Sequence, residues 1–239
     1  MNILAIGAHP DDIEMQCAGT LARYAKAGHK VFMAVATNGN VGSPTHSREE
    51  IGAIRHQEQL ASCALIGAEL IWMDFDDEWL FNDRPTRERF IDAIRQADPD
   101  VMFIHGPSDY HPDHRVAGQV AEDARIPASV RLVETSLPYI KKIPHLFYMD
   151  NPVGLEFEPE AYVDISEVFE TKKAMLLKHE SQDAWMRAVY GEHTSIADMM
   201  SQNAALRGSA AGVAYAEGFR EVKTYPRTGS FALLPGFGA

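Results

Sequence analysis

The regular alternation of short apolar runs with amphipathic stretches constrains this chain more than any other feature. Ile3 to Gly7, Lys30 to Thr37, Glu69 to Met73 and Asp100 to His105 have the length and apolar content of buried strands. Helices are expected between them. One runs from about Glu14 to Ala27, with Gly28 as its C′ residue. A second follows the capping box Ser47-Arg48-Glu49-Glu50 and runs to Ile66, with Gly67 past its end. A third covers Thr86 to Ala97. Strand–helix alternation at this spacing folds as right-handed βαβ units. It implies an α/β fold with a mostly parallel, Rossmann-like sheet and helices on both faces. The pattern blurs after about residue 126, where Pro127, Pro138 and Pro144 punctuate the chain. Strands are expected at Leu146 to Tyr148 and Tyr162 to Ile165, then a helix capped by Ser166 through about Lys178, and a helical stretch from Asp183 to Leu206. A length of 239 residues suits one domain over 1–239, with a core over about 1–126 and a less regular C-terminal third over 127–239.

Composition excludes some partners. The net charge of −12, from 22 basic against 34 acidic residues, argues against a nucleic acid or an anionic membrane. Cys17 and Cys63, in segments read as separate helices and lacking CxxC spacing, are expected to be reduced core residues of a cytoplasmic protein. The apolar run at the N-terminus reads as a first strand, too short for a signal peptide or a membrane span.

Chemistry is concentrated in two motifs. Ala8-His9-Pro10-Asp11-Asp12 follows the first strand, and His111-Pro112-Asp113-His114 follows the fourth. Loops at the carboxyl ends of parallel strands converge on one site, so distant segments can share a metal. His9 and Asp12, three apart, reach one ion from a first helical turn, and His114 adds a third ligand. Three protein ligands leave a coordination position for water, as catalytic zinc requires, and the ion activates that water. Asp11 is then placed to take its proton, and His111 to stabilise the oxyanion or protonate the leaving nitrogen. The same ligand set accepts Fe²⁺, Mn²⁺ or Co²⁺ in place of Zn²⁺.

These motifs, together with the tail Tyr215-Ala216-Glu217-Gly218-Phe219, resemble the PIG-L (LmbE-like) zinc-dependent de-N-acetylases, from Met1 to roughly Val222. The resemblance implies His9, Asp12 and His114 as zinc ligands, Asp11 as general base and His111 as oxyanion or proton partner. It also implies a homo-oligomer acting on a small N-acetylated, sugar-like substrate. Arg55 to Glu58 looks like the family's Arg-x-x-Glu, which implies substrate contact by Arg55. Tyr110 stands where bacillithiol-type members carry arginine, which sets this chain's substrate-binding face apart from theirs.

Other residues have plainer readings. Asn38-Gly39 is a turn and, second, a wall of the site. His105 lines the pocket or is a buried hydrogen-bonding group. Asp74, Asp76, Asp77 and Glu78 form a polar loop at the pocket rim, and Trp79 beside them is expected first in the core and second stacked on a sugar face. Two other functions use the same donors. A non-haem Fe(II) oxygenase uses two His and a carboxylate, but on a double-stranded β-helix and without a task for Asp11. A non-catalytic metal-binding module needs neither Asp11 nor His111.

Overall fold

The structure, a computed structural model, describes residues 1–226 and 230–237. The chain runs β1 (Asn2–Gly7), α1 (Asp12–Gln16), α2 (Ala18–Lys26), β2 (Lys30–Thr37), α3 (Arg48–Ala64), β3 (Glu69–Phe75), α4 (Arg84–Ala97), β4 (Val101–His105) and α5 (Pro112–Arg125). It continues with β5 (His145–Met149), β6 (Ala161–Asp164), α6 (Phe169–Leu176), α7 (Glu180–Tyr190), α8 (Ile196–Ala211) and β7 (Ala216–Glu221).

Apolar side chains on both faces of the central strands decide the architecture. Along β1, Ile3 and Ala5 enter one core while Leu4 and Ile6 enter the other. Val31 and Met33 of β2 oppose Phe32 and Ala34 in the same way, as do Val101 and Phe103 of β4 against Met102 and Ile104. A strand with no polar face must be covered on both sides. Leu21, Tyr24, Phe169, Leu176 and Met200 cover one face, and Phe90, Ile94, Val120 and Ala121 cover the other. Helix α5 lies so close to β4 that a Cβ on Gly118 would stand 2.3 Å from the His105 carbonyl oxygen. Only glycine fits there.

The sheet order is β3-β2-β1-β4-β5-β7-β6 among the described residues. The first five strands pair in parallel, while β7 is antiparallel to both β5 and β6. The α/β, mostly parallel reading therefore holds, and a double-stranded β-helix is not formed. The span of β2 and the Ser47 capping box, in which Ser47 Oγ accepts from the Glu50 amide, agree with the sequence reading.

Several local expectations are corrected. The helix expected over Glu14 to Ala27 is broken at Cys17, which lies between α1 and α2 and is free and buried, like Cys63. Glu217 of β7 causes the break, because its carboxylate accepts the Gly19 and Thr20 amides at 2.8 and 2.7 Å. Those donors are satisfied without a preceding helical turn. Ser166 does not cap α6; it opens a short 3₁₀ turn, and its hydroxyl accepts the Tyr215 amide. The stretch Asp183 to Leu206 is two helices, parted at Gly191 (φ 104°) and restarted by Ser195, whose side chain accepts from the Asp198 amide. Strand β7 is an addition to the sequence reading, its Ala-Glu-Gly-Phe-Arg-Glu run lacking strand periodicity. No helix among the described residues is long and apolar enough to cross a membrane.

Glu217 also pairs with the Lys172 ammonium, 2.5 Å away, and both side chains are buried; Lys172 donates further to the Met15 carbonyl. Removing one charge strands the other. Glu217→Gln is expected to lower unfolding free energy by about 3–5 kcal/mol, read by urea denaturation. Glu217→Gln with Lys172→Met should recover much of that loss, since no unpaired charge stays buried. Equal stability of wild type and Glu217→Gln would refute the role.

Candidate metal centre and active site

Chain direction parts between β1 and β4, which lie side by side in register Ile3↔Val101 to Ala5↔Phe103. Strands β2 and β3 continue to one side of β1, and β5 to the other side of β4. The loops leaving β1 and β4 therefore open a crevice at a topological switch point. Both motifs lie in those loops.

The first loop is held by backbone contacts and some strain. A Cβ on Gly7 would stand 3.1 Å from both Asp12 Cβ and Ile13 Cγ1, so glycine permits the tight return. The His9 amide donates to Asp12 Oδ2 at 2.7 Å. Asp11 occupies the N-cap position of α1 without a side-chain cap hydrogen bond, at φ 103° in the left-handed region that non-glycine residues adopt at a cost. The Arg55 guanidinium donates to the Pro10 carbonyl at 2.7 Å and lies 3.7 Å from Asp11 Oδ2. In the second loop, Pro112 opens α5 and His111 caps it, its Nδ1 accepting the Asp113 amide at 3.2 Å. His111 Nε2 is left 3.3 Å from Glu78.

The donors meet in a small space. His9 Nδ1 is 3.2 Å from His114 Nε2, His114 Nε2 is 3.1 Å from Asp12 Oδ1, and His9 Nδ1 is 3.4 Å from Asp12 Oδ2. Overlapping sets also gather closely: His9 with His111 and His114, Asp12 with His105 and His114, and His9 with Asp77 and Asp113. The His9 and His114 imidazoles each turn the other nitrogen to a carboxylate. His114 Nδ1 lies 2.9 Å from Asp109 Oδ1, and His9 Nε2 lies 3.0 Å from Asp77 Oδ1. Such partners orient metal-binding histidines and fix their tautomers, so the donor set fits a divalent cation.

Electrostatics follow from this crowding. Asp11, Asp12, Asp77, Asp109 and Asp113 are all buried, as is Arg55. Burial works against a charged His9, but hydrogen bonds to Asp113, Asp12 and Asp77 outweigh it and raise its pKa well above the usual value. His114 likewise rises to about 9, as Asp12 and Asp109 overcome burial. Burial pushes Asp11 up to about 6 despite Arg55, with Asp12 adding to the rise. His111 moves the other way, lowered by burial and by repulsion from His9 and His114.

The structure thus brings His9, Asp11, Asp12, His111 and His114 together. Tyr110 is 65% exposed, its ring edge-on to those of His111 and His114. Asn38 makes the expected turn, bonding Asp74 and the Asn40 amide. Arg55, expected at the substrate, is buried and donates within the protein. Trp79 is corrected from core to surface, at 62% exposure. Asp113 accepts the Glu78 and Leu80 amides, and with Glu78 at φ 69° the loop turns Leu80 inward and Trp79 out. Sequence reasoning missed Asp77, Asp109 and Asp113 as partners of the histidines. The unassigned Asp of the second motif was the available signal. His105 is buried, its Nε2 accepting the Ala8 amide at 3.0 Å.

Metal ligation needs neutral imidazoles. With His114 at about 9 and His9 raised, cation uptake at neutral pH is expected to release protons, and affinity to rise with pH up to about 9. Calorimetry in buffers of different ionisation enthalpy measures this. Buffer-independent heat would mean that these imidazoles are not ligands. Asp109→Asn, which weakens the anchor of His114, is expected to cost about 10- to 100-fold in affinity.

Residues 4–125 match the PIG-L family described as GlcNAc-PI de-N-acetylase. Among curated proteins, the diacetylchitobiose deacetylase of Thermococcus kodakarensis is 30% identical over 194 residues, covering 77% of this chain and 72% of its own. The N,N'-diacetylchitobiose deacetylase structure from Pyrococcus horikoshii superposes with a TM-score of 0.78 at 26% identity, covering 92% of this chain and 83% of that one. The fold is also that of the 4-carboxy-2-hydroxymuconate hydratase from Pseudomonas putida, with a TM-score of 0.80 at 23% identity over 95% of this chain and 98% of that one. The chain belongs to the PIG-L de-N-acetylase family.

Proposed function

We propose that this protein is a zinc-dependent amidohydrolase that removes the N-acetyl group from a small, sugar-like substrate such as an N-acetylglucosamine derivative. The observation that carries the reading is the convergence of His9 Nδ1, Asp12 and His114 Nε2 within 3.4 Å of one another, with Asp11 and His111 beside them. His9, Asp12 and His114 would hold the ion, with Fe²⁺, Mn²⁺ and Co²⁺ as substitutes for Zn²⁺. When bound, the ion supplies Lewis acidity toward the acyl carbonyl and the attacking water.

The protein's own groups do the rest. Asp11, poised at about 6, is ionised at neutral pH and takes the proton from the attacking water. Arg55 holds the Asp11 loop through the Pro10 carbonyl, and its charge keeps that carboxylate available. In His111, Nδ1 accepts the Asp113 amide, so the proton sits on Nε2. There it can be given to the oxyanion or to the departing nitrogen. Tyr110, exposed over the two imidazoles, and Asn38 at the loop edge form the substrate-facing wall. The reading includes a single domain over 1–239, a homo-oligomeric assembly and a cytoplasmic setting.

A second reading is favoured by one observation, the 24% identity over 94% of this chain with the 4-oxalmesaconate hydratase of Pseudomonas putida. The same base and cation could direct water to a carbon–carbon double bond. Acetate and amine release from a panel of N-acetylated sugars, using zinc-loaded protein, separates the two. Asp11→Asn is expected to keep its metal and lose turnover by about 10²-fold or more. His114→Ala should lose both metal and activity. Metal loss in Asp11→Asn, or a fully loaded and active His114→Ala, would overturn the assignment of roles.

A further inference from the structure

The loop after β4 also lines a shallow, solvent-open cleft, bounded by Gly106, Ser108, Asp109, Asn151, Phe157 and Arg220 among others. Asp109 links this space to the metal cluster, since its Oδ1 is the partner of His114 Nδ1. Arg220 lies on β7 opposite Tyr148 of β5. Its guanidinium carbon stands 5.4 Å from the ring centroids of both Tyr148 and Phe157. Two aromatic faces thus hold the cation in place.

The guanidinium has no hydrogen-bond or ion-pair partner among the described residues. Nearby acids make their hydrogen bonds and close ion pairs elsewhere, although the Lys223 bond and, with it, the Arg220 charge help hold the Glu160 carboxyl below its usual range. Glu160 pairs with Lys223 at 2.7 Å, Asp150 with Arg207 at 2.6 Å, and Glu122 accepts the Tyr148 hydroxyl at 2.8 Å. Asp109 is occupied by His114 and the His111 amide. Glu156, which also lines the cleft, is exposed and stays outside ion-pair distance of Arg220. Other arginines of the fold spend their donors internally: Arg55 and Arg95 bond backbone carbonyls, and Arg207 bonds Asp150. A ring-held guanidinium with free N–H groups facing a cleft offers a planar fork suited to an oxyanion.

We propose that Arg220 and this cleft form a subsite for an anionic oxygen group, a carboxylate or phosphate, carried by the substrate at a distance from its acyl nitrogen. The inference rests on the hydrolase reading above and names the substrate class within it. Such a contact lies away from the reacting atoms, so it acts mainly on KM and kcat/KM.

The test uses zinc-loaded wild type, Arg220→Gln and Arg220→Lys, with thermal unfolding as the check on folding. Substrates are a neutral N-acetylglucosamine methyl glycoside, N-acetylglucosamine 6-phosphate and N-acetylmuramic acid. Arg220→Gln is expected to lose about 10- to 100-fold in kcat/KM on an anionic member, with the neutral glycoside within twofold and Arg220→Lys in between. Equal loss on neutral and anionic substrates, or none, overturns the subsite. If wild type hydrolyses no member, the hydrolase reading fails, and the subsite is judged by calorimetry with inorganic phosphate and malonate. Binding to wild type that Arg220→Gln abolishes supports the anion site; no binding, or binding to both, overturns it. Phosphate binding without preference for any anionic substrate identifies a free-ion site and overturns the substrate-borne form of the proposal.

Discussion

A carboxylate near the C-terminal end of the chain decides how the first motif folds. Glu217 accepts the first free amides of α2 and pairs with Lys172 of α6. It joins β7, α6 and the α1–α2 junction in one buried contact. Because it serves the amides that a longer helix would have used, α1 stays five residues long. Asp11 and Asp12 stand at the start of that short helix. The C-terminal third therefore takes part in building the site, although neither motif lies in it.

Once the loops are set, charge governs the cluster. Five buried carboxylates, those of Asp11, Asp12, Asp77, Asp109 and Asp113, surround a space that Arg55 alone cannot balance. Buried charges that lack partners are costly. His9 and His114 answer that surplus from one side, because the surrounding carboxylates favour their protonated forms and raise their pKa values. From the other side, Asp109 and Asp77 orient them so that Nε2 of His114 and Nδ1 of His9 face a common point. Left-handed backbone at Asp11, Asp74 and Glu78 gathers around the same crevice, as expected where structure is strained to aim functional groups.

Much of this was legible in the chain. Buried strands such as Lys30–Thr37 announce themselves because an apolar run must be covered wherever it sits, and the Ser47 box declares a helix start through local hydrogen bonds. His9, Asp12 and His114 were recognisable because these residue types, spaced in this way directly after strands, suit a shared cation better than they suit caps or turns. Elements whose causes are distant were not legible. The break at Cys17 needs Glu217, the strand β7 needs β5 and β6 on either side, and Trp79 faces solvent because Asp113 pins the neighbouring backbone. Asp77 and Asp109 gave no spacing signal, since each acts on a histidine brought by a different turn of chain or by helix α5.

By itself, then, the sequence determined the parallel α/β layering, the residue types of the candidate metal cluster and their emergence at strand ends, because periodicity, capping and motif spacing are local properties. Tertiary structure alone decided which strands lie together at the switch point, which carboxylate orients each imidazole, and that Arg55 is spent on the Asp11 loop while Arg220 remains free. Those outcomes depend on which buried charges find partners once distant segments share one low-dielectric interior, and that is a property of the assembled fold rather than of any stretch of chain.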